Sequence, residues 1–192
     1  MYPAGRPRRL RRDVFTRDLV RENTLTVKDL IYPVFVQEGE KRRDAVPSMP
    51  GVERLSLDLL LPVAEQCVAA GIPVMALFPV IDASLKTPAG DEAFNPDGLI
   101  PLVVAALKSR FPELGVMTDV ALDPYTSHGQ DGLLDDSGYI VNDATVEVLV
   151  EIFNNDRGLG DVAAADGVMQ HRELAQRPHR AQRVLVVGVG EV

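Results

Sequence analysis

The hydrophobic positions of the chain fall into two kinds of segment that follow one another in turn. Short, nearly continuous apolar runs are typical of strands that are buried on both faces of a sheet. Longer segments in which apolar residues recur every three or four positions are typical of helices. The sequence therefore predicts strands over residues 30–36, 73–79 and 114–122, and helices over residues 56–71, 99–110 and 143–153.

Local signals mark the ends of these helices. Ser56 is a candidate N-cap of the first helix, Pro62 falls near its first turn, and Gly71 is a candidate C-terminal glycine. Asn142 or Asp143 is the candidate cap of the third helix. The limits of the first and third helices are therefore predicted from particular residues as well as from the periodicity.

The segments between these elements read as loops and turns. A short helical turn is predicted over residues 26–30, with Thr24 or Thr26 as its cap. The polar residues 37–43 and the proline-rich residues 46–52 are both predicted as loop, and ordered loops of such length are usually functional.

The order of the elements predicts the fold class. Strand, loop and helix repeat three times at a spacing of roughly forty residues, which predicts a parallel sheet with right-handed crossovers. This spacing suits a TIM (β/α)₈ barrel, an α/β fold whose active site lies on the loops that follow the strands. A full barrel needs about 250 residues, whereas this chain has 192.

Candidate chemistry is concentrated at the end of the third predicted strand. The strand should stop at Pro124, which cannot donate a ladder hydrogen bond, and residues 123–138 are rich in carboxylates and hydroxyls. Asp119, Asp123 and Asp131 could converge there on one cation or one polar substrate. The alternative is a surface loop in which aspartate and glycine only form turns.

Charge is distributed unevenly along the chain. The net charge is −8, which argues against general affinity for nucleic acids. Seven arginines nevertheless lie within the first 21 residues, and residues 1–13 predict an extended arm outside the core. Three interpretations remain open for this arm: a solvated tail, a phosphate-binding patch, or a segment that docks on another subunit through Leu10 and Phe15. We favour docking among the functional interpretations, since no nucleic-acid-reading motif accompanies the charge.

Cysteine content and hydropathy limit the kinds of metal site, disulfide and cellular location that the sequence allows. The single cysteine, Cys67, excludes an internal disulfide and a multi-cysteine zinc site, and its helical context predicts a buried, inert thiol. The chain has no apolar run of the roughly 20 residues that a membrane span needs. Its basic N-terminus lacks the apolar segment of a secretory signal. We therefore expect a cytoplasmic protein that does not bind membranes.

Several segments together resemble one enzyme family. The loop Asp-Pro-Tyr-Thr-Ser-His-Gly at residues 123–129 is the most specific of them, and the others lie at residues 8–12, 30–36, 48–52 and 76–79. From about Arg8 to Val150 the chain resembles the porphobilinogen synthases (δ-aminolevulinic acid dehydratases). The resemblance implies a TIM barrel, an N-terminal arm that embraces a neighbouring subunit in a homo-octamer, and condensation of two 5-aminolevulinate molecules to porphobilinogen in haem synthesis.

The resemblance also implies roles for individual residues. Asp119 matches a catalytic aspartate near the substrate amine, Phe78 matches an apolar wall of the pocket, and Ser127 lies in the substrate-binding loop. Zinc-dependent members have cysteines where this chain has Ala121, Asp123 and Asp131, and carboxylates suit Mg²⁺ or a monovalent cation instead. The family pattern therefore implies a magnesium-type member with Asp123 and Asp131 as metal ligands, and zinc is not expected.

The resemblance is incomplete in one respect that bears on catalysis. The family uses two lysines that form Schiff bases with the two substrates, and both lie in motifs that this sequence lacks. Its four lysines, Lys28, Lys41, Lys86 and Lys108, all precede the acidic loop. We therefore expect this chain to be inactive alone, and the alternative is a non-catalytic fragment or an assembly partner of a full-length synthase.

The sequence changes character after Val150. A reading-frame disruption, a truncation and a divergent end are all compatible with this change, and we favour the first. The segment at 184–190 ends in Gly-x-Gly and predicts an edge strand, and His171 and His179 read as solvated. The predicted organisation is an arm over residues 1–24, the first half of the barrel over residues 25–155, and a divergent segment over residues 156–192.

Overall fold

The computed structural model describes residues 4–5, 7–157 and 162–165. Helices within these residues are α1 (Val14–Leu19), α2 (Leu57–Ala70), α3 (Leu99–Arg110) and α4 (Asn142–Arg157). Strands are β1 (Ile31–Gln37), β2 (Arg43–Ala45), β3 (Glu53–Leu55), β4 (Val74–Val80), β5 (Gly115–Asp119) and β6 (Val162–Ala165). Short 3₁₀ turns lie at Pro7–Arg11, Val27–Asp29, Ala83–Leu85 and Asp91–Phe94.

The six strands form one sheet in the order β2-β3-β1-β4-β5-β6. Strands β1, β4, β5 and β6 run parallel, with α2, α3 and α4 in the connections between them. Strand β3 adds to β1 in parallel, and β2 pairs with β3 in the antiparallel sense. The described residues thus confirm the predicted parallel α/β architecture, and β2 with β3 adds a small hairpin to it.

One face of the sheet packs against the helices. Leu77 of β4 and Val116 of β5 lie in the same core cluster as Leu60 of α2 and Val103 and Leu107 of α3. All five are 0–1% exposed, and each buried side chain of this size contributes about 1.5–3 kcal/mol of transfer free energy. Because side chains alternate along a strand, the neighbouring positions face the other side of the sheet, where a closed barrel would have its interior.

Helix α2 agrees with its sequence signals at one end and departs from them at the other. Gly71 adopts the left-handed conformation with φ 77°, as predicted for a glycine that ends a helix. Ser56 is at the N-cap position, but its hydroxyl donates to Asp58 and accepts the Arg42 N–H instead of capping the helix. Pro62 is inside the helix rather than in its first turn, so the backbone bond that its nitrogen would donate is missing.

The loop predicted over residues 37–43 is wrong only at its two ends, where Gln37 closes β1 and Arg43 opens β2, whereas residues 46–52 form the turn between β2 and β3 as predicted. Residues 43–45 and 53–55 form the hairpin β2–β3, which an ion pair of 2.8 Å between Arg43 and Glu53 joins at the surface. The turn before this hairpin is held by Asp58, whose carboxylate accepts the Lys41 N–H at 2.9 Å. These strands are three residues long and polar, so they carry no hydrophobic pattern that could have predicted them.

The remaining elements differ from prediction mainly at their ends. Thr26 caps the turn Val27–Asp29 and forms a reciprocal capping box with Asp29, as one of the two proposed caps. Strand β5 ends at Asp119, three residues before the predicted end, although Leu122 is fully buried. Helix α4 begins at Asn142, so Asn142 and Asp143 are both helical residues and neither proposed cap is correct.

The arm is exposed but not uniformly extended. It contains the 3₁₀ turn Pro7–Arg11 and the helix α1, which buries none of its residues. Phe15 and Leu19 are 71% and 83% exposed, and Leu10 is 49% exposed. The arm thus lies outside the core as predicted, with local helical structure that its prolines and arginines did not indicate.

Three further sequence predictions concern burial, membranes and the end of the chain. Cys67 is buried as predicted, and this burial raises the pKa of its thiol, which disfavours the reactive thiolate. In the described part of the chain, no helix is both long and apolar enough to cross a membrane. The predictions for 184–190, His171 and His179 lie outside the described residues.

Candidate active site at the carboxyl edge of the sheet

An aromatic pair and an aspartate form a row across the sheet on the face opposite the helices. Phe35 of β1 pairs in register with Phe78 of β4, and their ring centroids are 6.0 Å apart. Leu77 pairs with Thr118, so Phe78 and Asp119 occupy the next pair of positions along β4 and β5. Adjacent strands lie roughly 5 Å apart. The structure therefore brings Phe78 and Asp119 together on one face, at the carboxyl ends of their strands.

The acidic loop that follows β5 is folded back onto the end of that strand. The Leu122 N–H donates a hydrogen bond of 2.7 Å to the Asp131 carboxylate, across nine positions of sequence. The Thr126 hydroxyl donates to the Gln130 carbonyl at 2.9 Å. Because Leu122 and Thr126 are buried, these bonds fix residues 122–131 as an ordered loop.

The charge of Asp131 acts on the ionisation of Asp123. Partial burial is the larger reason that the pKa of Asp123 is raised, the Asp131 charge is the next, and Lys86 acts in the opposite direction. The Asp123 side chain is nevertheless exposed to solvent, so water screens part of the repulsion between the two carboxylates. Because the Asp131 charge raises the cost of ionising Asp123, a nearby cation would favour the charged form of Asp123.

The donor set limits which metals these residues could hold. Within the described residues, no group of three or more histidine, cysteine, aspartate or glutamate side chains is arranged to hold a metal ion. Ala121 is buried and offers no ligand atom. Asp123 and Asp131 supply only hard oxygens, which fits Mg²⁺ that keeps several water ligands and does not fit a tetrahedral zinc site.

Ser127 lies in the loop, away from the strand positions of the aromatic row. Its side chain is exposed, and its backbone N–H donates to the Thr87 carbonyl at 3.0 Å. A parallel bridge between Thr87 and Thr126 accounts for this position, because it joins the loop after β4 to the loop after β5. Sequence reasoning missed this connection, and the only local signal for it is the turn-forming Thr-Pro-Ala-Gly at 87–90.

Glycine at position 90 is required where these two loops meet. Gly90 has φ +69°, and a Cβ at this position would lie 2.9 Å from a methyl carbon of Leu122. The turn that contains it is fixed by a hydrogen bond of 2.6 Å from the Thr87 hydroxyl to Asp91. Close approach of the backbone to Leu122 therefore depends on the absence of a side chain.

An open depression of about 630 Å³ lies beside the acidic loop. His128, Gln130, Tyr139 and Asn142 are among the residues that line it. Neither Phe78 nor Asp119 lines this depression. We therefore place the candidate site at the aromatic row and the acidic loop, where the carboxylates and the raised pKa of Asp123 are, and not at the depression.

None of the four lysines lies on a strand of the described sheet. Lys108 donates from Nζ to the carbonyls of Pro112 and Leu114, both at 3.2 Å. Lys41 is 3.9 Å from Glu40 at the surface. Lys86 is half-buried, and its charge acts on Asp123 from the loop after β4. All four lysines therefore lie in helices, turns or loops of the described region.

The class of protein follows from three features: parallel strands with helical crossovers, an aspartate at a strand end, and an acidic loop beyond it. Together they define part of an α/β barrel with an enzyme-like site at its carboxyl edge. The sequence profile of delta-aminolevulinic acid dehydratase matches residues 4–177. The similarity to this family therefore extends beyond Val150, where the resemblance seen in the sequence was expected to end. The chain belongs to the delta-aminolevulinic acid dehydratase family, whose members are lyases.

Individual relatives agree with this assignment. The chain is 47% identical over 185 residues to delta-aminolevulinic acid dehydratase of Bradyrhizobium diazoefficiens, covering 95% of this chain and 52% of the relative. It is 42% identical to that of Rhodobacter capsulatus, covering 92% of this chain and 53% of the relative. The chain thus spans about half the length of the curated relatives it matches.

A solved structure supports the fold. The delta-aminolevulinic acid dehydratase (porphobilinogen synthase) of Toxoplasma gondii, in complex with the reaction product porphobilinogen, superposes with a TM-score of 0.78 at 43% identity. The superposition covers 84% of this chain and 47% of that one. The predicted fold class, about the first half of a TIM barrel, is confirmed. The predicted limits of the arm, barrel and terminal segments stay predictions, and β6 pairs with β5 beyond residue 155.

Proposed function

We propose that this chain carries the arm and about half of the barrel of a porphobilinogen synthase, the lyase that condenses two 5-aminolevulinate molecules to porphobilinogen. The observation that carries the proposal is the adjacency of Phe78 and Asp119 at the carboxyl edge. Phe78 supplies an apolar wall for the substrate chain. The Asp119 carboxylate accepts a hydrogen bond from the substrate ammonium or takes a proton from it. Ser127 contributes a hydroxyl from the neighbouring loop.

The same proposal includes a bound cation, Mg²⁺ or a monovalent ion but not zinc, with Asp123 and Asp131 as its ligands. Such a cation supplies positive charge beside the acidic loop. The chain itself holds both carboxylates in one loop. The hydrogen bond from the Leu122 N–H fixes the position of the Asp131 carboxylate. A cytoplasmic location also remains part of the proposal.

The chain alone is proposed to bind substrate without turning it over, since none of its lysines stands on a barrel strand to form a Schiff base. The test is titration with 5-aminolevulinate followed by NMR, with Asp119→Asn as the variant and Asp136→Asn, an exposed aspartate of the turn at residues 135–138, as the matched control. Shifts at Phe78 that are lost in Asp119→Asn and kept in Asp136→Asn are expected. Equal shifts in both variants would contradict the site.

Borohydride trapping with 5-aminolevulinate, measured as intact mass, tests whether the chain alone can form a Schiff base with the substrate. No covalent adduct is expected from the folded chain, while a full-length synthase treated in parallel gives one. An adduct on this chain would mean that one of its four lysines or its amino terminus forms the Schiff base, and the argument from missing lysines would be wrong.

A second candidate function is a non-catalytic assembly partner of a full-length synthase. The observation that favours it is the exposed apolar surface of the arm, where Phe15 and Leu19 are 71% and 83% exposed. In the family the arm reaches a neighbouring subunit of an octamer, and this chain would use it in the same way. Co-purification with a full-length synthase is expected, and Phe15→Ser should abolish it. Equal recovery of wild type and Phe15→Ser would exclude docking through the arm.

A further inference from the structure

His128 connects two loops at the carboxyl edge that are far apart in sequence. Its Nε2 lies 3.1 Å from the carbonyl oxygen of Pro88, in the loop after β4. Its Nδ1 lies 3.2 Å from the backbone nitrogen of Gln130, in the loop after β5. The side chain is half-buried between them.

The two partners of the ring determine where its proton is. A backbone N–H can only donate, so Nδ1 must accept from Gln130 and carries no proton. A carbonyl oxygen can only accept, so Nε2 must carry the proton that it donates to Pro88. Both bonds form together only in the neutral ring with the proton on Nε2.

The loop that His128 contacts is already held in place on its other side. Thr87 N–H donates to the Tyr125 carbonyl at 3.2 Å, and Ser127 N–H donates to the Thr87 carbonyl at 3.0 Å. His128 follows Ser127 directly and adds a side-chain bond one residue further along both loops. The Pro88 carbonyl that it meets is fixed by the turn containing Gly90.

We propose that His128 is a positioning residue: in its neutral Nε2–H form it fastens the loop that carries Lys86 to the acidic loop that carries Asp123 and Asp131. It acts through backbone groups and does not touch the substrate. The inference rests on the proposed function for the importance of these loops, but its test needs neither turnover nor a bound cation.

The first test is the tautomer of His128 in the unaltered chain, read from the ¹⁵N chemical shifts of the ring nitrogens. The His128 signals are identified by their loss in His128→Asn. We expect the proton on Nε2 at neutral pH. A proton on Nδ1 would remove the acceptor for Gln130 and overturn the proposal, whatever the variants do.

The second test separates the bond within one loop from the bond between loops. An asparagine side chain can accept from the N–H two residues later, so His128→Asn keeps the Gln130 bond, but its terminal atoms stop short of Pro88. His128→Ala loses both bonds. We expect hydrogen exchange of the Ser127 amide to become about tenfold faster in both variants, and that of Gln130 only in His128→Ala.

The amide of Leu107, in the fully buried core of α3, reports whether the fold is intact and should exchange at the same rate in all three proteins. With Leu107 unchanged, an unchanged Ser127 rate in both variants would show that His128 shapes only its own loop. That result would contradict the proposal without bearing on the assignment of Asp119 and Phe78.

Discussion

The Leu122 N–H donates to the Asp131 carboxylate at 2.7 Å, so one of the two proposed cation ligands also holds the acidic loop against the end of β5. A hydrogen bond to a charged acceptor contributes about 1.5–3 kcal/mol. The same carboxylate raises the pKa of Asp123 from across the loop. Asp131 therefore links the conformation of the loop to its electrostatics.

Replacement of Asp131 should separate these two roles. Asp131→Ala removes the acceptor and leaves the buried Leu122 N–H without it, which should lower the free energy of unfolding by about 1–3 kcal/mol. Asp131→Asn keeps an acceptor oxygen and should cost less, while it removes the charge that acts on Asp123. Urea denaturation measures both values. Equal destabilisation by the two variants would mean that the charge, and not the bond, holds the loop.

Asp123 should make stability depend on pH in an unusual direction for a carboxylate. Its pKa is raised in the folded chain, first by partial burial and then by Asp131. The folded state therefore binds more protons than the unfolded state between the two pKa values, and stability falls as pH rises from the unfolded value near 4 through the folded value. The destabilisation caused by Asp123 is absent below the pKa of the unfolded state and complete above the pKa of the folded state.

Asp123→Asn should remove that contribution. At neutral pH the variant should be slightly more stable than the wild type, by less than about 1 kcal/mol because the side chain is largely solvated. At pH 3 the two proteins should have the same stability. Urea denaturation at a series of pH values measures the difference. A variant that is less stable than the wild type at neutral pH would contradict the raised pKa.

Most of the fold and part of the site were predictable from the sequence, for physical reasons that differ between elements. Strands β1 and β4 were located to within one residue because their burial leaves a dense apolar run. Phe78 and Asp119 could be assigned to the sheet edge because a parallel sheet brings the ends of its strands together. Their roles came from the family resemblance and not from the pattern.

The contacts between loops were not predictable in this way. The bond from His128 to Pro88 spans 40 positions and depends on how two turns meet, which no local periodicity records. Hairpin β2–β3 was missed because its strands are short and polar. The limits of α2 were predicted correctly, but the capping hydrogen bond expected of Ser56 was not, because its hydroxyl bonds to Asp58 instead.

The packed face of the sheet should dominate the stability of the described region. Leu107 of α3 is fully buried in the core, whereas Leu102 of the same helix is 57% exposed. Leu107→Ala should lower the free energy of unfolding by about 2–5 kcal/mol through lost transfer energy and a residual cavity. Leu102→Ala should change it by less than about 0.5 kcal/mol. Thermal or urea denaturation of the pair checks the orientation of α3, and similar losses for both would contradict it.

Two glycines of similar backbone conformation allow a sharper test of the contact between the two loops. Gly90 and Gly129 have φ +69° and +70°, so alanine at either position should incur a comparable conformational cost of about 1 kcal/mol or more. At Gly129 an added Cβ meets nothing within 4 Å, whereas at Gly90 it would lie 2.9 Å from Leu122. Gly90→Ala should therefore destabilise the chain by about 1–3 kcal/mol more than Gly129→Ala, because Leu122 is buried and cannot move freely. Urea denaturation gives the difference directly. If the two substitutions cost the same, Gly90 is required only for its backbone conformation, and the two loops are not packed against each other at this point.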